Sequence, residues 1–191
     1  GNTAPGKDLS KIRKRRIGME LQILDALQTI HTPVLDAMMC GITRLGDAGI
    51  IWILLCIVLL VLPKTRKSGV ILMAALLVDL VICNGILKPL VHRIRPFDVR
   101  TGIELLVKRP TDFSFPSGHT AASFASVMAL YLAGEKKIWI SSLGLAVLIA
   151  FSRLYLYVHY PTDVLGGVVA GLAAGALGYW LVKKVEELKK A

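Results

Sequence analysis

Three short stretches of this chain carry side chains that suit phosphoryl chemistry. Six residues separate Lys88 from Arg95-Pro96, Pro116-Ser117-Gly118-His119 opens an apolar run, and Ser152-Arg153 is followed by His159 and Asp163. Lys88, Arg95 and Arg153 are cations that could hold several oxygens of one phosphate, the arginines as planar forks. A helix starting at Gly118 would point its first N–H groups at an anion. Gly118 would allow close backbone approach, and Ser117 would add a hydroxyl. Asp163, four residues after His159, could take one ring N–H and leave the other nitrogen as a nucleophile. Each stretch alone also has a plainer reading. Lys88 and Arg95 could anchor a helix at lipid head groups, Ser117 could cap a helix, and Asp163 could cap the run after it.

The elements around these positions must bring them together. Of 191 residues, 54% are hydrophobic and 19% charged, and the apolar residues come in runs rather than at amphipathic spacing. That pattern excludes a disordered chain and an ordinary soluble enzyme. A hydrocarbon core of about 30 Å takes about 20 helical residues, fewer where polar loops cap the ends. The runs 48–62, 69–87, 120–133, 138–151 and 164–182 qualify. The expected fold class is therefore all-α: a polytopic membrane helical bundle of about five transmembrane helices plus an N-terminal interfacial amphipathic helix. That helix is placed at 17–46, where Glu20, Asp25, His31, Pro33 and Asp36 suit an interface better than a bilayer interior. Residues 47–182 form the expected core, between a basic tail over 1–16 and another over 183–191. Residues 1–6 read as a remnant outside the fold, and no cleavable signal peptide is read. Gly167, Gly171, Gly175 and Gly178 predict close helix approach in the last span.

Alternating crossings send 88–117 and 152–163 to one end of the bundle, with His92, His119 and His159 and many of the arginines. On one face, the three plainer readings together give way to a site. Formal net charge is +10, but the basic residues lie between apolar runs rather than along one face with interleaved aromatics. Lipid head groups and phosphates are the partners this implies, not nucleic acid. Cys40, Cys56 and Cys83 show neither a disulfide framework nor metal-site spacing.

The stretches in order, Lys88 to Arg95-Pro96, Pro116 to His119, and Ser152-Arg153 to His159 and Asp163, resemble the three-part signature of the type 2 phosphatidic acid phosphatase family. The resemblance covers residues 46–182 and implies a helical bundle that releases phosphate from a phosphorylated lipid without metal or other cofactor. It also implies roles. His159 attacks phosphorus to form a phosphohistidine, Asp163 orients it, and His119 protonates the leaving oxygen and then activates water. Lys88, Arg95, Ser117, Gly118 and Arg153 hold the phosphoryl oxygens. His31, His92 and Arg93 receive no catalytic role, and Asp79, mid-span, stays open between function and packing.

Soluble haloperoxidases share such a site but lack apolar spans. A phosphotransferase, or a non-catalytic protein that binds anions or moves lipid, remains an alternative. Undecaprenyl diphosphate is favoured as substrate over phosphatidylglycerophosphate or lipid A phosphates, because the chain is short and carries no head-group domain. Nothing in the sequence fixes an oligomeric state. Lys64, Arg66, Lys67, Lys136, Lys137, Lys183, Lys184, Lys189 and Lys190 gather at the other end, which the positive-inside rule makes cytoplasmic, so the site is expected on the extracytoplasmic face. The basic residues between Lys11 and Arg16 point the other way.

Overall fold

A computed structural model describes residues 5–190, with the side chains from Arg15 onward and that of Lys11; residues 1–4 of the expected N-terminal tail lie outside it. The described residues are helical and contain no strand. The elements are α1 (Pro5–Gln28), α2 (Pro33–Leu45), α3 (Ile50–Val61), α4 (Arg66–Asp79), α5 (Lys88–Val91), α6 (Pro96–Val99), α7 (Gly118–Leu132), α8 (Lys136–Tyr155) and α9 (Pro161–Leu188). A 3-10 turn, Asp47–Gly49, leads into α3, and a π-helical segment, Leu80–Leu87, joins α4 to α5. The wide turn has a local cause: Pro89 has no N–H to offer Gly85, and its ring crowds that carbonyl.

α7 packs against α9, α8 and α4, and α9 also lies along α4. Small residues allow this. A methyl added at Gly171 would sit 2.3 Å from the Ala121 carbonyl oxygen, one at Gly175 would sit 2.6 Å from that of Ala125, and one at Gly178 would sit 2.5 Å from the Ala75 nitrogen. The outer faces are greasy: Ile53, Ile57, Leu77, Val81, Val147, Val169 and Trp180 are exposed, as lipid-facing helices require.

One expectation is corrected, the single N-terminal helix. By length and composition, three stretches can cross a membrane, Arg66–Val99, Lys136–Tyr155 and Pro161–Leu188. The pair Pro33–Leu45 and Asp47–Val61, bent by 46°, makes a fourth if it is one span. α7, 15 residues long and about 22 Å, is shorter than these stretches and is enclosed by α4, α8 and α9 rather than by lipid, so the all-α bundle stands with three or four candidate spans by length alone. The single helix over 17–46 is two, broken where Pro33 starts α2 behind its Thr32 cap. The tail over 183–191 continues α9 as far as Leu188.

The α7–α9 contact predicts a sign. Gly171→Ala should lower the thermal midpoint in detergent, because overpacking of about 1–3 kcal/mol exceeds the helix propensity gained. Gly144→Ala, which meets nothing within 4 Å, should hold or raise it. Equal stabilisation of both variants would show that α7 and α9 do not touch there.

Candidate active site

Three chain reversals at one end of the bundle build the site: the 88–117 connection, the first turn of α7, and the 156–160 turn that leads into α9. Lys88, Arg95, Gly118, His119, Arg153 and His159 line one cavity of about 610 Å³. Ser117 and Asp163 lie behind it, fully buried, with the Ser117 N–H donating to the Asp163 carbonyl at 3.0 Å. All eight residues singled out in the sequence therefore meet.

The plainer readings can now be judged. Arg95 is only 3% exposed, and the Lys88 side chain 12%, so both fold into the protein instead of reaching for head groups. Ser117 makes no side-chain cap bond to α7; its hydroxyl accepts from the Thr120 hydroxyl at 3.0 Å. Asp163 does cap α9, accepting the Tyr160 N–H at 2.9 Å, and this leaves it free for further contacts.

His159 is buried in the 156–160 turn, and its two nitrogens face different partners. Arg95 Nη1 lies 3.3 Å from Nε2, and Nδ1 stands 3.6 Å from Asp163 Oδ2. A guanidinium can only donate, so Nε2 carries the lone pair and Nδ1 the proton, toward the carboxylate. Burial pushes the ring down to about 3, helped by the charges of Arg95 and Arg153 and opposed by Asp163. His159 is thus a neutral imidazole with its lone pair in the cavity.

His119, at the start of α7, directs Nε2 to Asp47 Oδ1 at 2.8 Å, with Arg153 Nη1 at 3.4 Å. The shorter contact takes the N–H. Arg153 is tied to Thr43 Oγ1 at 2.6 Å. Gly118 leaves room for Lys88: a methyl on it would stand 3.5 Å from the ammonium.

The signature positions alone miss two residues. Asp112 bridges the cations, accepting from Lys88 Nζ and, at 2.6 Å, from Arg95 Nη2. Burial opposes its ionisation, but Lys88 and Arg95 outweigh that and hold the carboxyl down at about 2. Arg93 binds Asp163 Oδ1 at 2.6 Å. Its place two residues before Arg95 was the only cue in the sequence. His92 packs edge-on to Phe113 and His31 stacks on Tyr155, both away from the cavity. Among the described residues, no three His, Cys, Asp or Glu side chains gather as a metal site would need.

A second groove, of about 630 Å³, runs between α3 and α4. Ile53, Ile57, Leu60, Met73, Leu76 and Leu77 line it, and it ends on Lys88, Asp112, Gly118 and His119, which belong to both cavities. An apolar arm therefore meets a cationic one at the imidazole of His119.

The sequence pattern of the PAP2 superfamily matches residues 67–187. The chain is 29% identical over 183 residues to the undecaprenyl-diphosphatase of Sulfolobus acidocaldarius, covering 93% of this chain and 88% of that one. It is 34% identical over 177 residues to phosphatidylglycerophosphatase B of Bacillus subtilis, covering 86% and 82%. Among solved structures, the transmembrane PAP2 type phosphatidylglycerolphosphate phosphatase from Bacillus subtilis superposes with a TM-score of 0.70 at 30% identity, over 89% of this chain and 85% of that one.

Asp112 supplies a test of the cavity. Its carboxylate occupies cations that an incoming anion needs, so Asp112→Asn should tighten binding of inorganic phosphate by about tenfold. With the carboxyl held near 2, the ratio of variant to wild-type affinity should stay constant between about pH 4 and 6, where phosphate is a monoanion, and should widen above about pH 7 as phosphate gains its second charge. Weaker binding in the variant would mean that Asp112 arranges the cations rather than competing for them.

Proposed function

The chain belongs to the PAP2 superfamily and is a membrane lipid phosphatase, and from that premise we propose that it releases phosphate from undecaprenyl diphosphate through a phosphohistidine at His159. One observation carries the mechanism: a neutral His159 whose Nε2 lone pair opens on a cavity walled by Lys88, Arg95, Gly118, His119 and Arg153.

The steps follow from that geometry. The cations hold the terminal phosphoryl oxygens, and because the transition state spreads negative charge over those oxygens, fixed positive charge beside them lowers the barrier more than any other device the site has. Nε2 attacks phosphorus in line, the bond to the bridging oxygen breaks, and His119, entering the step as an imidazolium paired with Asp47, protonates the departing lipid phosphate and becomes neutral. His119 then takes a proton from water, whose oxygen attacks the phosphohistidine and frees inorganic phosphate and Nε2. Asp163 faces Nδ1 and stabilises the positive ring of the intermediate. No step calls for a metal, and the cations and imidazoles that line the cavity supply the charge and the protons.

The substrate reading rests on the two cavities. The polar one is lined by Arg44, Lys88, Arg95, Lys108, Arg109 and Arg153 against Asp47 and Asp112. That excess of cations suits a diphosphate better than the smaller charge of a monophosphate. The apolar groove suits an isoprenoid chain, and the relative in Sulfolobus acidocaldarius is named for the same substrate.

The site end is placed outside the cytoplasm. Lys67 Nζ donates to Glu186 Oε2 at 2.7 Å and Ser68 Oγ to Glu135 Oε1 at 2.7 Å. The α3–α4 turn, the α7–α8 turn and the end of α9, with their lysines, thus share the opposite end. The positive-inside rule assigns that end to the cytoplasm.

Quenched reactions with nitrophenyl phosphate in excess EDTA test the mechanism. His119→Ala should accumulate an acid-labile phosphohistidine at position 159, because the good leaving group needs little protonation while water is no longer activated. His159→Ala should accumulate none and lose several orders of magnitude of activity. A label on His119, or restoration of activity only by Mg²⁺, would overturn the assignment. Sidedness is read by single cysteines at Lys67 and Thr101, with Cys40, Cys56 and Cys83 removed. An impermeant thiol reagent on intact cells should label position 101 and spare 67, and the reverse pattern puts the site in the cytoplasm.

A further inference from the structure

The acids of α1 and α2 face the turn that carries His159. Tyr157 OH donates to Asp25 Oδ1 at 2.7 Å, and Tyr155 OH to Asp36 Oδ1 at 2.6 Å. Glu20 goes furthest in. Only 5% exposed, it accepts the Thr162 N–H at 3.0 Å and the Thr162 hydroxyl on Oε1, and Arg93 Nη2 on Oε2. Arg93 Nη1 in turn donates to Thr162 Oγ1 and to Asp163 Oδ1, each at 2.6 Å, while its guanidinium lies 3.9 Å over the Tyr160 ring.

We propose that Arg93, held in place by Glu20, is a positioning residue for His159 that acts through Asp163. This inference rests on the reading of His159 as nucleophile with Asp163 as its partner. Two physical consequences support it. First, Arg93 occupies Oδ1 of Asp163 while Ser114 Oγ and the Tyr160 N–H bind Oδ2, which fixes the carboxylate plane and keeps Oδ2 turned to Nδ1. A buried carboxylate without such a partner would protonate or rotate away, leaving the imidazole tautomer unheld.

Second, the charges are arranged for the intermediate. Glu20, Arg93 and Asp163 together carry one excess negative charge, which the neutral imidazole of the resting site leaves unmatched. When Nε2 bonds to phosphorus and Nδ1 keeps its proton, the ring becomes cationic beside Oδ2 and matches it. Arg93 thus leaves Asp163 enough negative charge to stabilise that ring, and stops it taking the ring proton outright.

A double-variant cycle on phosphohistidine formation, read by rapid quench with nitrophenyl phosphate, tests this. Arg93→Met should slow the step by about 10–100-fold with inorganic phosphate affinity unchanged. In an Asp163→Asn background it should slow it by no more than about threefold. Arg93→Lys should recover part of the rate. Losses that multiply in the double variant, or inorganic phosphate affinity that falls with the rate, would overturn the proposal as a merely structural effect. If Arg93→Met does not fold, Glu20→Gln, which keeps shape and removes the charge, runs the same cycle with the same expected coupling. An Asp163→Asn enzyme that phosphorylates at the wild-type rate overturns the underlying reading of His159 as well. A slow Asp163→Asn with no coupling to Arg93 overturns only the positioning role.

Discussion

The contact of α7 with α9 is the constraint on which the rest depends. Ser117 begins one helix and Asp163 lies in the first turn of the other, and the Ser117 N–H reaches the Asp163 carbonyl only because the two backbones nearly touch below them. Gly167, Gly171 and Gly175 supply that closeness. Hydrophobic association cannot hold helices together in lipid, where every neighbour is equally apolar, so shape and hydrogen bonding must. A side chain at Gly171 would wedge the helices apart, and the Pro116–His119 turn would leave the turn that carries His159. The site is thus set by the spacing of residues that do no chemistry.

Bringing Lys88, Arg95 and Arg153 together in a buried place is costly unless each is compensated. The structure compensates them locally and unevenly. Asp112 takes Lys88 and Arg95, Thr43 takes one nitrogen of Arg153, and the carbonyl oxygens of Asp112 and Val158 take Arg95. The helices α1 and α2 support the other side of the 156–160 turn through Glu20, Asp25 and Asp36. Acids that look out of place in an apolar stretch are there because they bind Arg93, from the 88–117 connection, and the hydroxyls of Tyr155 and Tyr157.

Much of the site was legible in the sequence, because its parts are local. A cation seven residues before Arg-Pro, a Ser-Gly-His at a helix start, and a His four residues before Asp each fit one turn or one helix end, and the bundle was legible from apolar runs. What escaped has long-range causes. Asp112 and Arg93 act on partners 24 and 70 residues away, and nothing in the local pattern marks either. The length of α7 was visible, but its position inside the bundle, where a short helix suffices, depends on α4, α8 and α9 together. Pro33 was also visible as a breaker, and only the bend at Gly46 shows that α2 leads into α3 rather than lying apart.

Two buried polar atoms of the site have no protein partner, Arg153 Nε and His159 Nδ1. An unmet buried donor costs about 1–3 kcal/mol; Arg153 lines the cavity, while His159 Nδ1 faces Asp163 on the side of the ring away from it. Arg153 Nε would gain its acceptor from a phosphoryl oxygen. His159 Nδ1 would shorten its 3.6 Å approach to Asp163 once the ring is positive. On the proposed mechanism both interactions strengthen as the ring becomes positive and the leaving oxygen negative, and neither is fully made in the resting site. Interactions of that kind lower the barrier rather than merely tighten binding, which is the part the proposal gives to a neutral imidazole, a fixed carboxylate and contacts left unmade until the phosphoryl group arrives.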